Sequence, residues 1–109
     1  MSHWTLHWLE ATGSLSPYRD QITENFVRAE ALLTSMMPSP RLDILIQNLP
    51  GQVIPEAGLL GRAFTDKLFS LAVDPDNPAF EESLHQGTMQ RHILHEVHHC
   101  LRMAGPGYG

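Results

Sequence analysis

Four of the chain's seven histidines fall between His92 and His99, close to the C-terminal end of its 109 residues. Within that run, His95-Glu96-Val97-His98-His99 has the form H-E-x-x-H. On a helix, residues i and i+4 lie one turn apart on the same face, so two imidazole nitrogens can converge on one ion at about 2.0–2.1 Å each. A glutamate beside the first histidine is too far round the helix to join comfortably as a ligand. It can instead reach a water held by the ion and serve as general base and proton shuttle. The ion would lower that water's pKa toward about 7 and polarise a carbonyl. His95 and His99 are therefore the expected metal ligands, Zn2+ the expected ion, and Glu96 the expected catalytic residue.

The flanking sequence supports a helix. At about 100° per residue, Met89, Ile93, Leu94, Val97, Cys100, Leu101 and Ala104 share one apolar arc. His92, His95, His99, Arg91 and Arg102 fall opposite, with Glu96 and His98 at the flanks. Thr88 is expected to cap the start and Gly105 to close the end. Cys100, inside the apolar arc, reads as a buried and inert thiol.

The rest of the chain must hold that helix in place. Trp4 to Leu9 alternates like a strand. Ser16 offers an N-cap and Pro17 an N1 residue for a long helix, on which Tyr18, Ile22, Phe26, Ala29, Leu33 and Met36 recur at helical spacing until Pro38 and Pro40. Leu42, Ile44 and Ile46 mark a second strand, and the strand–helix–strand order implies a parallel crossover. Residues 49–66 read as loop with one short strand near Gly61–Phe64, and Leu68–Val73 as a further strand. The Asx- and proline-rich run Asp74-Pro75-Asp76-Asn77-Pro78 stops it, and a short helix follows over Ala79–His85. The fold class is α+β: a small mixed β-sheet with a long N-terminal helix and a C-terminal helix carrying H-E-x-x-H, all within a single domain over 1–109.

Composition narrows the partners. Seven basic against twelve acidic residues give a net charge of −5, which leaves no basic surface for nucleic acid or for an anionic membrane. No apolar run reaches the roughly 18–20 residues that cross a bilayer. The sequence start, Met1-Ser2-His3-Trp4, lacks the basic and apolar regions of a signal peptide. With one cysteine and no internal disulfide, the expected compartment is the cytoplasm.

The stretch His95-Glu96-Val97-His98-His99-Cys100-Leu101-Arg102, with Gly105-Pro106-Gly107-Tyr108-Gly109 after it, resembles a bacterial family of zinc-dependent proteases of gluzincin type. Val53-Ile54-Pro55-Glu56 and Asp74-Pro75-Asp76-Asn77-Pro78 are also similar to that family, so the likeness runs from Leu6 to the end. It implies a zincin-like fold, in which a small sheet lies against the active-site helix and an edge strand aligns a peptide or protein substrate. Leu68–Val73 is the expected edge strand. The resemblance also implies a third ligand, a glutamate, from a helix beyond the G-P-G-Y-G turn. The sequence ends at Gly109, so the chain reads as the N-terminal part of such a protein, with the C-terminal subdomain absent. The metzincin spacing would need glycine at Arg102 and histidine at Gly105, and neither is there.

A catalytic zinc takes three protein ligands plus water. His92 lies about 10 Å along the helix axis from His99, an awkward reach. Other sources are His85, Glu81 or Glu82 folding back, Glu56 in its loop, His3 and His7 on the first strand, or a second molecule. Tyr108 is of interest only as an oxyanion donor over the metal. The expected function is zinc-dependent peptide-bond hydrolysis with Glu96 as base, weak or absent in this 109-residue form. The alternative is a catalytically incomplete domain that holds metal, or a homodimer bridged by it.

Overall fold

The computed structural model describes residues 3–104, so the expected Gly105 helix stop and the G-P-G-Y-G turn with Tyr108 lie outside the described residues. In chain order the elements are β1 (Trp4–Leu9), α1 (Arg19–Thr34), β2 (Leu42–Asn48), β3 (Leu59–Thr65), β4 (Leu68–Val73), α2 (Pro78–His85) and α3 (Thr88–Ala104). Short 3-10 turns at Glu10–Thr12 and Ser16–Tyr18 join β1 to α1. The architecture is α+β, with one four-stranded mixed sheet in the order β1-β2-β4-β3. β1 runs parallel to β2 and β2 parallel to β4, while β3 is antiparallel to β4. No helix among the described residues is long and apolar enough to cross a membrane.

Strand alternation explains the sheet. Leu42, Ile44 and Ile46 of β2 are buried and Asp43 is exposed. Phe69, Leu71 and Val73 of β4 join the same core layer, beneath Ile22, Phe26, Ala29 and Leu33 of α1 and Met89, Ile93, Val97 and Cys100 of α3. Phe26 of α1 meets the ring of Trp4 edge-on at 6.4 Å and stacks on Phe69 at 6.5 Å, pinning the helix across the sheet.

β4 is an interior strand, which corrects the expectation that Leu68–Val73 forms the open edge. It is hydrogen-bonded on both sides, and from Phe69 onward every residue is buried. A nearly continuous apolar run, here interrupted only by Ser70, is the signature of a strand buried inside a sheet. The open edge beside α3 belongs to β3, a seven-residue strand where only Gly61–Phe64 was expected. Its glycine and its exposed Arg62 and Phe64 weakened the apolar alternation that marks a strand.

Two cap expectations also change. α1 starts at Arg19 with no side-chain cap, because Ser16 sits in the preceding 3-10 turn and its N–H donates to Ser14 Oγ. Thr88 is the first residue of α3 rather than its cap: the Arg91 N–H donates to the Gly87 carbonyl, and the Arg91 guanidinium donates to the Thr88 hydroxyl.

The loop before β3 is fastened to α2. Asn77 caps α2 by accepting from the Ala79 N–H, and its amide donates to the Pro55 carbonyl at 2.9 Å. The buried Ser83 hydroxyl donates to the Ala57 carbonyl at 2.6 Å. Gly58, at φ +69°, lies so close to α2 that a Cβ would stand 2.5 Å from the Phe80 nitrogen. These ties set where β3 begins.

Candidate metal centre

α3 buries one side, as the wheel implies, and its polar side forms one wall of an open cleft of about 710 Å³. His92, His95, Glu96 and His99 line that wall, and Leu60, Gly61 and Ala63 of β3 line the other. Arg91, Met103 and Ile54 complete the rim.

His95 and His99 stand together. Their Nε2 atoms are 2.9 Å apart, and the rings meet edge to face at 4.5 Å between centroids. With one Nε2 protonated, a single proton bridges the pair. Two imidazoles on a tetrahedral zinc, with bonds of about 2.05 Å, place their nitrogens about 3.3 Å apart. The observed spacing is thus within a few tenths of an ångström of what two ligands of one zinc ion need, so the two histidines fit that ion once the rings turn their lone pairs to a common point. His95 is exposed and His99 half-buried, which leaves them reachable from the cleft.

Glu96 stands beside the polar face, where the wheel places it, but in a setting that the wheel does not show. It is only 6% exposed and packs inward, between α3 and the backbone of Gly61. A Cβ at Gly61 would meet Glu96 Cγ at 2.3 Å, Cδ at 2.7 Å and Oε2 at 2.8 Å. The carboxylate thus sits against the edge strand, in the same cleft as the two imidazoles. Gly61 was missed as part of the site, although an isolated glycine inside a strand is the usual mark of a close approach.

β3 turns hydrogen-bonding groups toward this cleft. The Gly58 carbonyl accepts from Asp74 N–H on the β4 side, and the Leu59 carbonyl accepts from Ile54 N–H on the opposite side. Since a strand residue points its N–H and C=O to one side and the next residue to the other, Leu60 and Arg62 face β4. Gly61 and Ala63 face the open edge. The ladder then shifts register between Ala63 and Thr65.

The remaining candidate ligands are dispersed, and no group of three or more His, Cys, Asp or Glu suited to a metal occurs among the described residues. His7 lies on β1, at the other edge of the sheet, with His3 just before it, and His7 pairs with Asp43 at 2.9 Å. His85, Glu81 and Glu82 are exposed on α2, and His85 lines a separate cleft against α1. Glu56 is exposed in the loop before β3. His92 shares the cleft, and its basicity is lowered by burial first, then by His95 and Arg91. His98 and Arg102 are exposed. Cys100 is fully buried, as expected, and burial pushes its thiol up to about 11, with Glu96 and Asp66 adding to the shift.

No family model, no curated protein and no solved structure matches the chain.

Proposed function

We propose that the chain is a zincin-like, zinc-dependent metallopeptidase domain. The observation that carries this reading is the convergence of His95 and His99 Nε2, 2.9 Å apart, in the cleft that also holds the inward-turned Glu96 and the open edge of β3. The resemblance of the H-E-x-H-H run to gluzincin-type proteases points the same way, as does a mixed sheet whose antiparallel edge strand lies beside the histidine helix.

His95 and His99 would hold the ion through Nε2. Zinc bound there would supply Lewis acidity to a scissile carbonyl and lower the pKa of an attacking water. Glu96 takes the proton from the water as it attacks and passes it to the departing amine. Its seat against Gly61 keeps the carboxylate beside the strand on which the peptide lies. The N–H and C=O of Gly61 and Ala63 pair with the peptide backbone by strand addition and hold the bond in register. The third protein ligand comes from outside the described residues. A single buried thiol and no disulfide suit the reducing cytoplasm.

A metal-bridged homodimer is the second reading, favoured by the same lack of a third donor among the described residues and by the exposure of His95. Zinc stoichiometry and activity separate the two. The peptidase reading expects one zinc per chain and hydrolysis that Glu96→Gln abolishes while zinc stays bound. One zinc per two chains, with a dimer that chelation dissolves, supports the second reading. Less than about 0.1 zinc per chain, with melting unaffected by chelator, sinks both, because a ligand of the folded state raises its stability.

A further inference from the structure

β3 separates two clefts. Gly61 and Ala63 line the histidine cleft, while Leu60, Arg62 and Phe64 line a second cleft of about 530 Å³ on the opposite face of the sheet. Its floor is Ser70 and Ala72 of β4 and Gln47 of β2, which sit beside β3 in register. Leu60 and Ile54 belong to both clefts, so the two meet over the same open edge. A volume of this size falls within the range of about 300–1,000 Å³ that takes small ligands or side chains.

The second cleft is apolar with one sign of charge. No acidic residue is among its lining, and among the described residues Arg62 has no ion pair. The Arg62 guanidinium lies over the Phe64 ring, 5.3 Å from its centroid. Ser70, opposite Arg62 in the ladder, is only 6% exposed and lines the same cleft. A guanidinium without an acid, beside a serine at the same level of one cleft, matches a carboxylate.

We propose that this back cleft is a specificity subsite for an acidic side chain of the substrate peptide, with Arg62 as the selecting residue; the inference rests on the peptidase reading above. A peptide added to β3 alternates its side chains between the two faces. The residue opposite Gly61 then points toward Glu96 and the histidines, and its neighbour opposite Arg62 points into the back cleft. Because Arg62 directs its backbone groups to β4, that peptide residue forms a non-hydrogen-bonded pair with it, the pairing in which side chains lie closest. The positions two residues to either side meet Leu60 and Phe64, both partly exposed, and take apolar side chains. The substrates are extended peptides with an acidic residue next to the one facing the metal cleft, flanked at alternate positions by apolar residues.

The test uses a peptide library that varies this position among Glu, Gln and Lys. Hydrolysis by the zinc-loaded protein is read by mass spectrometry, and binding to the zinc-loaded Glu96→Gln variant by fluorescence polarisation. The expected result is a preference of roughly three- to tenfold for Glu over Gln, abolished by Arg62→Ala and reversed toward Lys by Arg62→Glu. Circular dichroism checks that both variants fold, and Arg62 is exposed. Peptides bound and cleaved with no Glu preference, or a preference that survives Arg62→Glu, overturn the subsite and leave the peptidase reading intact. A library that is neither bound nor cleaved overturns both.

Discussion

The carboxylate arm of Glu96 occupies the space where a Gly61 side chain would be, 2.3 Å from the position of its Cβ. The colliding atoms belong to a flexible side chain, so Gly61→Ala is expected to move Glu96 rather than to disrupt the fold. Melting and zinc content should stay close to those of the parent, while hydrolysis falls about 100-fold, the usual consequence of misplacing a reacting group by about an ångström. Zinc analysis, calorimetry and a peptidase assay on one preparation read all three. Undiminished hydrolysis would mean that Glu96 does not act from this seat.

Replacing either His95 or His99 with alanine should abolish zinc binding. In the parent, zinc at about 100 times its dissociation constant should stabilise the fold by about 2.7 kcal/mol, and the variants should show no zinc-dependent rise in melting temperature. Binding should also weaken in acid, because a protonated imidazole has no lone pair to offer. If His95→Ala still binds zinc with parental affinity, the ion sits elsewhere.

Cys100 should resist thiol reagents at pH 8 until the chain is unfolded. Its side chain is fully buried, and its thiol ionises only at about 11 in the fold. In the unfolded chain it ionises near 9.0, so the folded form binds the proton more tightly. That contribution to stability is present below pH 9 and is lost as the pH rises from there through 11. Reaction kinetics with an aromatic disulfide, with and without urea, measure the protection; rapid labelling of the native protein would contradict it.

Asn77→Ala removes two hydrogen bonds, the cap on α2 and the tie to Pro55. The expected cost is about 1–2 kcal/mol in urea denaturation. Because Pro55 lies in the loop that leads into β3, the variant should also show faster amide exchange at Ile54, whose N–H donates to Leu59. A cost confined to α2, with Ile54 unchanged, would show that the loop holds itself in place.

Much of this architecture is legible in the sequence because its periodicities are strong. β1, β2 and α1 follow from alternating or helical apolar spacing, and the histidine face of α3 follows from the same wheel that buries Met89, Ile93, Val97 and Cys100. The edge of the sheet was misread for a physical reason. The more strand-like run, Leu68–Val73, is apolar because it lies inside the sheet, whereas the strand at the edge carries Arg62 and Phe64 partly in water. The burial of Glu96 was not legible, because a wheel gives an angle and no neighbour. Its burial depends on Gly61, 35 positions earlier in the chain, offering no side chain. The back cleft had no signature, since register across β2, β4 and β3 builds it.

The elements around the candidate centre are consecutive: the loop at Ile54, β3, the Asp66–Lys67 turn, β4, α2 and α3. The β3–β4 pairing closes stretches of chain no longer than Leu59 to Val73, whereas the pairings of β1 with β2 and of β2 with β4, and the approach of Glu96 to Gly61, all close much longer ones. Loop closure makes the long pairings slow, so folding has a natural order. The β3–β4 hairpin forms early, and the histidine helix and the N-terminal strand dock on it later. In pulsed hydrogen exchange during refolding, amides of β3 and β4 should therefore gain protection before those of β1, so that the strand wall of the cleft stands before the far edge of the sheet is laid down.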